Sequence, residues 1–276
     1  MLESMEQNSE AAQVLTAEHA IAHLRHEDLS LRYYAAWWLG KFRVRDSAAI
    51  DALIAALADE ADRTALGGYP LRRNAARALG KLGDRTAVPA LTHCLACDDF
   101  YVREAAAQSL GMLGDPVCVP TLSKLLAGGV AAAEFVPGRP HLTQPYEAAI
   151  EALGLLSATE ATELIRPFME HSVTRVRYAA TRAMYQLTHD PVYAERLVEA
   201  LKGDDVQLRR TALSDLGAIG YLPAAEAITA AAVESSFKLI ALKGLLDHHL
   251  PTVPIQPGSS LGDRTIQVLL LMDSLL

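Results

Sequence analysis

Seven ten-residue stretches share one pattern of apolar and polar positions: LRYYAAWWLG from Leu31, LRRNAARALG from Leu71, VREAAAQSLG from Val102, PYEAAIEALG from Pro145, VRYAATRAMY from Val176, LRRTALSDLG from Leu208 and FKLIALKGLL from Phe237. Each has an apolar residue first, Ala fifth and Leu or Met ninth, the i, i+4, i+8 stripe of a helix that buries one face. Successive copies are 40, 31, 43, 31, 32 and 29 residues apart, so the underlying period is near thirty. The two long intervals hold the extra Gly and Pro: Gly67, Gly68 and Pro70 in one, and GGVAAAEFVPGRPHLTQP in the other. They read as loop insertions near 60–69 and 128–145.

Between these helices lie second helical patterns such as DSAAIDALIAAL, TAVPALTHCL and DPVCVPTLSKLL, whose early Pro or Asp suits a helix start. Gly occupies the tenth position in five copies, where it reads as a helix end in the left-handed conformation. The unit is therefore a helical hairpin whose buried face is completed by its neighbours. About seven such hairpins make an all-α, superhelical α-solenoid over residues 1–250. No strand alternation of any length is found. Within 251–276, PTVPIQPGSSLG reads as an extended linker and RTIQVLLLMDSLL as a last apolar helix that caps the array or docks on a partner.

Composition narrows the function. A chain of 276 residues with 51% hydrophobic and 21% charged residues suits a folded, soluble protein. Its net charge of -8 argues against a general nucleic-acid or anionic-membrane binder, which needs a positive field. Three cysteines make no disulfide framework, and MLESMEQNSE lacks the basic-then-apolar signature of a signal peptide, so a cytoplasmic location is expected. VLLLMDSLL, the longest apolar run, is interrupted by Asp273 and too short to span a bilayer.

Aromatic residues are only 6% of the chain, yet Tyr33, Tyr34, Trp37 and Trp38 crowd into one helix. The other copies reveal their surroundings. The column of Tyr33 holds Arg73, Glu104, Glu147, Tyr178, Arg210 and Leu239, and that of Trp37 holds Arg77, Gln108, Glu151, Arg182, Ser214 and Lys243. Mostly polar columns face solvent, so Tyr33 and Trp37 are expected to stack as an exposed pair off the buried stripe of Leu31, Ala35 and Leu39. Tyr34 and Trp38, a second pair four apart, fall in columns of mainly small residues and either cover the open end of the array, fill a local core or face a ligand.

The YYAAWWLG run inside short HEAT-like repeats resembles the E subunits of the heterodimeric E/F-type phycobilin lyases of cyanobacteria, over essentially the whole chain. The resemblance implies a heterodimer with a homologous F subunit that binds free phycocyanobilin and attaches it through a thioether to a cysteine of the phycocyanin α subunit. Thiolate adds to the ring-A ethylidene group while the neighbouring ring carbon takes a proton. The bilin is then a bound substrate, and no cofactor or metal is implied. The E subunit of the related phycoviolobilin lyase-isomerase has a similar pattern, and a non-catalytic scaffold binding phycobiliproteins is the alternative of a different class.

A flat tetrapyrrole with two propionates and several N–H groups needs aromatic faces, cations and an acid. Trp37 and Tyr33 are expected to stack on it, Arg73 and Arg77 to hold propionates, and Glu104 to accept pyrrole N–H bonds. Tyr34, Trp38, Arg139 and His141 complete the candidate binding set, the last two in the Gly/Pro-rich insertion. The proton donor is a Tyr hydroxyl or a His that the sequence does not single out. Cys94, Cys97 and Cys118 read as packing residues, because a single CxxC has no second pair. His19 with His23 and His248 with His249 read as structural or solvated, and no Gly-rich phosphate loop, GxSxG or HExxH occurs.

Overall fold

The computed structural model describes residues 15–250 and 262–276, and the expected linker from Pro251 to Gly262 lies outside them except for its last residue. The chain divides into two compact units, residues 1–113 and 114–276. The first contains α1 (Ala17–His23), α2 (Leu29–Lys41), α3 (Ser47–Ala56), α4 (Pro70–Leu82), α5 (Val88–Cys94) and α6 (Phe100–Leu113). Helices α2, α4 and α6, which carry the repeated motif, pack side by side in one layer, and α1, α3 and α5 pack against it.

The second unit repeats the scheme with α7 (Val119–Leu126), α8 (Gly129–Ala132), α9 (Tyr146–Leu155), α10 (Thr162–Ile165), α11 (Thr174–Thr188), α12 (Pro191–Ala200), α13 (Val206–Ile219), α14 (Ala225–Ala230), α15 (Ser235–His249) and α16 (Asp263–Asp273). Here α9, α11, α13 and α15 form the motif layer. The helical-hairpin solenoid read from the period is thus the fold, and the described residues contain one isolated antiparallel bridge, Phe135 to Leu142, inside the second insertion.

The fifth and ninth positions of the repeated stripe do what their spacing dictates, whereas the first does not throughout: Leu31 and Leu208 are half-buried and Phe237 is exposed. Ala at the fifth position (Ala35, Ala75, Ala106, Ala149, Ala180, Ala212, Ala241) and Leu or Met at the ninth (Leu39, Leu79, Leu110, Leu153, Met184, Leu216, Leu245) are buried in all seven copies. Aspartates punctuate the hairpins: Asp28, Asp46, Asp84, Asp115, Asp190 and Asp205 each accept a backbone N–H two residues on, satisfying a donor that the helical ladder leaves open.

The tenth-position glycines correct the sequence reading. Gly40, Gly80, Gly111, Gly154 and Gly217 lie inside their helices rather than at the ends. Their role is close approach. A Cβ on Gly40 would stand 2.8 Å from Ala78 Cα, and one on Gly217 would stand 3.0 Å from both Cα and O of Ala241. Bare backbone lets neighbouring motif helices come together. The left-handed cap falls three residues later, at Gly83 (φ 79°), Gly114 (φ 67°) and Gly220 (φ 65°).

The last helix, α16, packs Thr265 and Val268 inward against α14 and α15, as a cap would. Ile266, Leu269 and Leu270 on its other side are exposed. Among the described residues no helix is long and apolar enough to cross a membrane.

Candidate functional site

The candidate site lies on the motif layer of the first unit. Its register is fixed by hydrogen bonds that cross between helices: Asn74 Nδ2 of α4 donates to Tyr33 O of α2 at 3.2 Å, and Ser109 Oγ of α6 donates to Ala76 O of α4 at 2.8 Å. With the close approach of Gly40 to Ala78, these contacts set Tyr33 and Trp37, Arg73 and Arg77, and Glu104 in consecutive rows of one face.

Tyr33, Tyr34 and Trp37 are 38%, 48% and 42% exposed, a concentration of large apolar surface in water that folding alone does not require. Trp38 is half-buried. The expected pairing by fours is corrected: Tyr34 packs on Trp37 with centroids 5.4 Å apart, and Trp38 packs on Phe42 at 4.8 Å. Three- and four-residue spacings both place side chains together on a helix, and a long side chain leans toward the preceding turn, which brings the Trp37 indole back onto Tyr34. Tyr33 lies outside this pair and is 38% exposed.

The two arginines differ. Arg77 reaches Glu104 at 3.8 Å, an exposed, stretched ion pair that contributes little to stability. Arg73 is half-buried, its guanidinium lies 5.9 Å from the centroid of the Tyr101 ring, and its shielded Nε has no acceptor. Tyr101, one residue before the aligned motif, was missed in the sequence because only aligned columns were compared. Its signal is its position, three residues before Glu104 on the same helical face.

Arg139 and His141 belong to the second unit. His141 Nδ1 lies 2.9 Å from Leu142 O, and Arg139, at an exposed turn, donates its backbone N–H to Val136 O at 2.9 Å. Both histidines near the end of α15 are structural: His248 Nε2 meets Ala218 O at 2.9 Å and His249 Nε2 meets Gly220 O at 2.7 Å. The thiols of Cys94 and Cys118 are buried, which pushes each up to about 11 and keeps them protonated and unreactive.

The motif layer of the second unit contains a cluster that column analysis had assigned to solvent. Arg182 of α11 stands between Glu151 of α9 at 3.6 Å and Asp215 of α13 at 3.3 Å, and Arg175 reaches Glu147 at 3.5 Å. Asp215, at a column of small residues, was not anticipated. Burial pushes Glu151 up to about 7 and Asp215 up to about 6, although Arg182 opposes both shifts. A carboxyl whose folded value exceeds its unfolded value near 4 holds a proton that the unfolded chain releases, so its contribution is full at acid pH and is lost as pH rises through 6–7. Melting temperature is therefore expected to fall between pH 5 and pH 8. The double variant Glu151→Gln, Asp215→Asn should flatten that slope, and calorimetry at the two pH values measures it.

Comparison with known proteins identifies the class first. The family model described as HEAT repeats matches residues 69–132 and 144–217, and the one described as PBS lyase HEAT-like repeat matches 31–59, so this is a HEAT-repeat protein. Proteins named phycocyanobilin lyase subunit alpha are similar over nearly the whole length. That of Nostoc sp. strain PCC 7120 is 66% identical over 262 residues, covering 95% of this chain and 94% of the relative, and that of Thermosynechococcus vestitus is 66% identical over 254 residues, covering 90% and 92%. A chain in the solved complex of CpcE and CpcF of phycocyanin lyase from Nostoc sp. PCC7120 superposes with a TM-score of 0.89 at 66% identity over 98% of each chain. The chain belongs to the phycocyanobilin lyase alpha-subunit family.

Proposed function

We propose that this protein is the alpha-type subunit of a heterodimeric bilin lyase, which binds phycocyanobilin on the motif layer of its first unit and, with a CpcF-like partner, attaches it to a cysteine of the phycocyanin α subunit in the cytoplasm. The observation that carries the placement is the exposed group of Tyr33, Tyr34 and Trp37 beside Arg73 and the Arg77–Glu104 pair. Family membership supports the reaction. The bilin is the substrate rather than a resident cofactor.

The chemistry follows from what these residues can do. Aromatic faces hold a flat conjugated pigment and exclude water from one side of it. A guanidinium attracts propionate, and Glu104 offers an acceptor to pyrrole N–H groups. Held in this way, ring A presents its ethylidene carbon to the acceptor thiolate. The new C–S bond takes the sulfur electron pair, the exocyclic double bond is spent, and the neighbouring ring carbon gains one proton, so the thiol and the pigment combine without oxidant or leaving group.

The test is reconstitution of this chain with its partner subunit, phycocyanobilin and apo-phycocyanin α subunit. Colour that stays with the acceptor on a denaturing gel, with the absorption of a phycocyanobilin adduct, is the expected outcome. An adduct absorbing as phycoviolobilin would reassign the protein to lyase-isomerases. Pigment that never becomes covalent would leave a scaffold.

A further inference from the structure

Three arginines among the described residues have a shielded Nε without an acceptor: Arg73, Arg103 and Arg182. Arg103 spends its Nη1 on the carbonyls of Cys97 at 2.6 Å and Asp98 at 3.0 Å. Arg182 is matched by Glu151 and Asp215. Arg73 has neither a carbonyl nor a carboxylate, and its neighbour is the face of Tyr101. A half-buried guanidinium keeps its charge at any physiological pH and loses part of its hydration without a counter-ion in return. Such a group is an anion site waiting for its anion, and a planar fork favours a carboxylate with two parallel hydrogen bonds.

The row before it is aromatic and the row after it is occupied. Asn74 locks α4 to Tyr33 O, which sets Arg73 next to the exposed aromatic group of α2. Arg77, the other cation expected to hold a propionate, is engaged by Glu104. One face therefore offers an exposed aromatic group, one cation without an anion and one cation that already faces a carboxylate at 3.8 Å.

We propose that Arg73, seated on the ring of Tyr101, anchors a single carboxylate of the substrate tetrapyrrole, and that Arg77 does not hold the second. This rests on the bilin reading of the face. One point of charge attachment holds the pigment on the aromatic group through one of its two propionates. Tyr101 is a positioning residue that limits where the guanidinium can swing, through the attraction of a cation to the ring face.

The experiment titrates the assembled two-subunit protein with phycocyanobilin and with its dimethyl ester, read by visible absorption. The wild type should bind the free acid about ten- to a hundredfold more tightly than the ester, the worth of one charge-assisted bidentate contact. Arg73→Met should weaken the acid by that factor, leave the ester unchanged and bring the ratio close to one. Arg73→Lys should retain part of the preference. Arg77→Met should keep the wild-type ratio, and Tyr101→Leu should lower it while Tyr101→Phe preserves it. Full acid-over-ester preference in Arg73→Met, or its loss in Arg77→Met instead, overturns the proposal while bilin binding itself stands. A wild-type protein that binds neither pigment overturns the parent reading and this one with it. Circular dichroism of each variant separates lost binding from lost fold, and the charge-retaining lysine supplies the reading if the methionine variant misfolds.

Discussion

Replacing Tyr33 and Trp37 together by Ala should lower the affinity of the assembled enzyme for phycocyanobilin by about a hundredfold or more and reduce transfer to the acceptor accordingly. Stacking a flat heteroaromatic on one protein ring is worth roughly 1–3 kcal/mol by alanine substitution, and two rings act on the same ligand. Stability should fall only modestly, by about 1 kcal/mol, because both rings lie off the buried stripe of Ala35 and Leu39, although they are 38% and 42% exposed and the Trp37 indole loses its contact with Tyr34. The hydrogen bond from Asn74 survives as well, since it ends on the backbone oxygen of residue 33. Absorption titration gives the affinity, a denaturing gel gives the transfer, and a melt checks the fold. A folded double variant that transfers pigment at the wild-type rate would remove the bilin from this face.

Tyr34 and Trp38 sit differently from Tyr33 and Trp37. In the inner repeats, the columns of Tyr34 and Trp38 touch the preceding motif helix: Asn74 and Ala78 meet α2, Ser109 meets α4 and Asp215 meets Arg182 of α11. Among the described residues α2 is the first helix of its layer, and no earlier motif helix meets its residues in those columns. Tyr34 is exposed, and Trp38 rests on Phe42. These two positions belong to the end of a stack, whereas Tyr33 and Trp37 belong to its free face.

Much of this was legible from one sequence because the chain compares itself with itself. Seven aligned copies identified the buried Ala and Leu columns without error, since burial at those positions follows from helical geometry alone. Polar columns located solvent less well. Gln108, Ser214 and Lys243 are exposed as expected, but Glu151 and Arg182 in the same column are drawn inward by Asp215, a partner three repeats from the start of the second unit that no single column reveals. The Arg77–Glu104 contact and the isolation of Arg73 are equally invisible in columns, because they depend on side-chain reach between helices rather than on period. The misread glycines have a more general cause. Gly is selected either for positive φ or for having no Cβ, and both uses look the same in a sequence.

A pair of substitutions tells the two uses apart and has the largest expected effect on stability. At Gly244 of α15 an added Cβ would stand 2.7, 2.8 and 2.9 Å from O, C and Cα of Gly217, all of them backbone atoms that cannot rotate away. Gly244→Ala gains up to about 1 kcal/mol in helix propensity. It forces α13 and α15 apart along their whole contact, and overpacking of this kind costs about 3 kcal/mol. The net loss should be about 2 kcal/mol and should grow further with Met and Leu, to the point of unfolding the end of the second unit. At Gly83, by contrast, φ is 79° and nothing lies within 4 Å of an added Cβ. The penalty there is the left-handed backbone alone, about 1–2 kcal/mol, and should be nearly the same for Ala, Met and Leu. Denaturant melts of the six variants therefore give a steep dependence on side-chain size at position 244 and a flat one at position 83. Equal slopes would mean that the close helix approach does not constrain the stack.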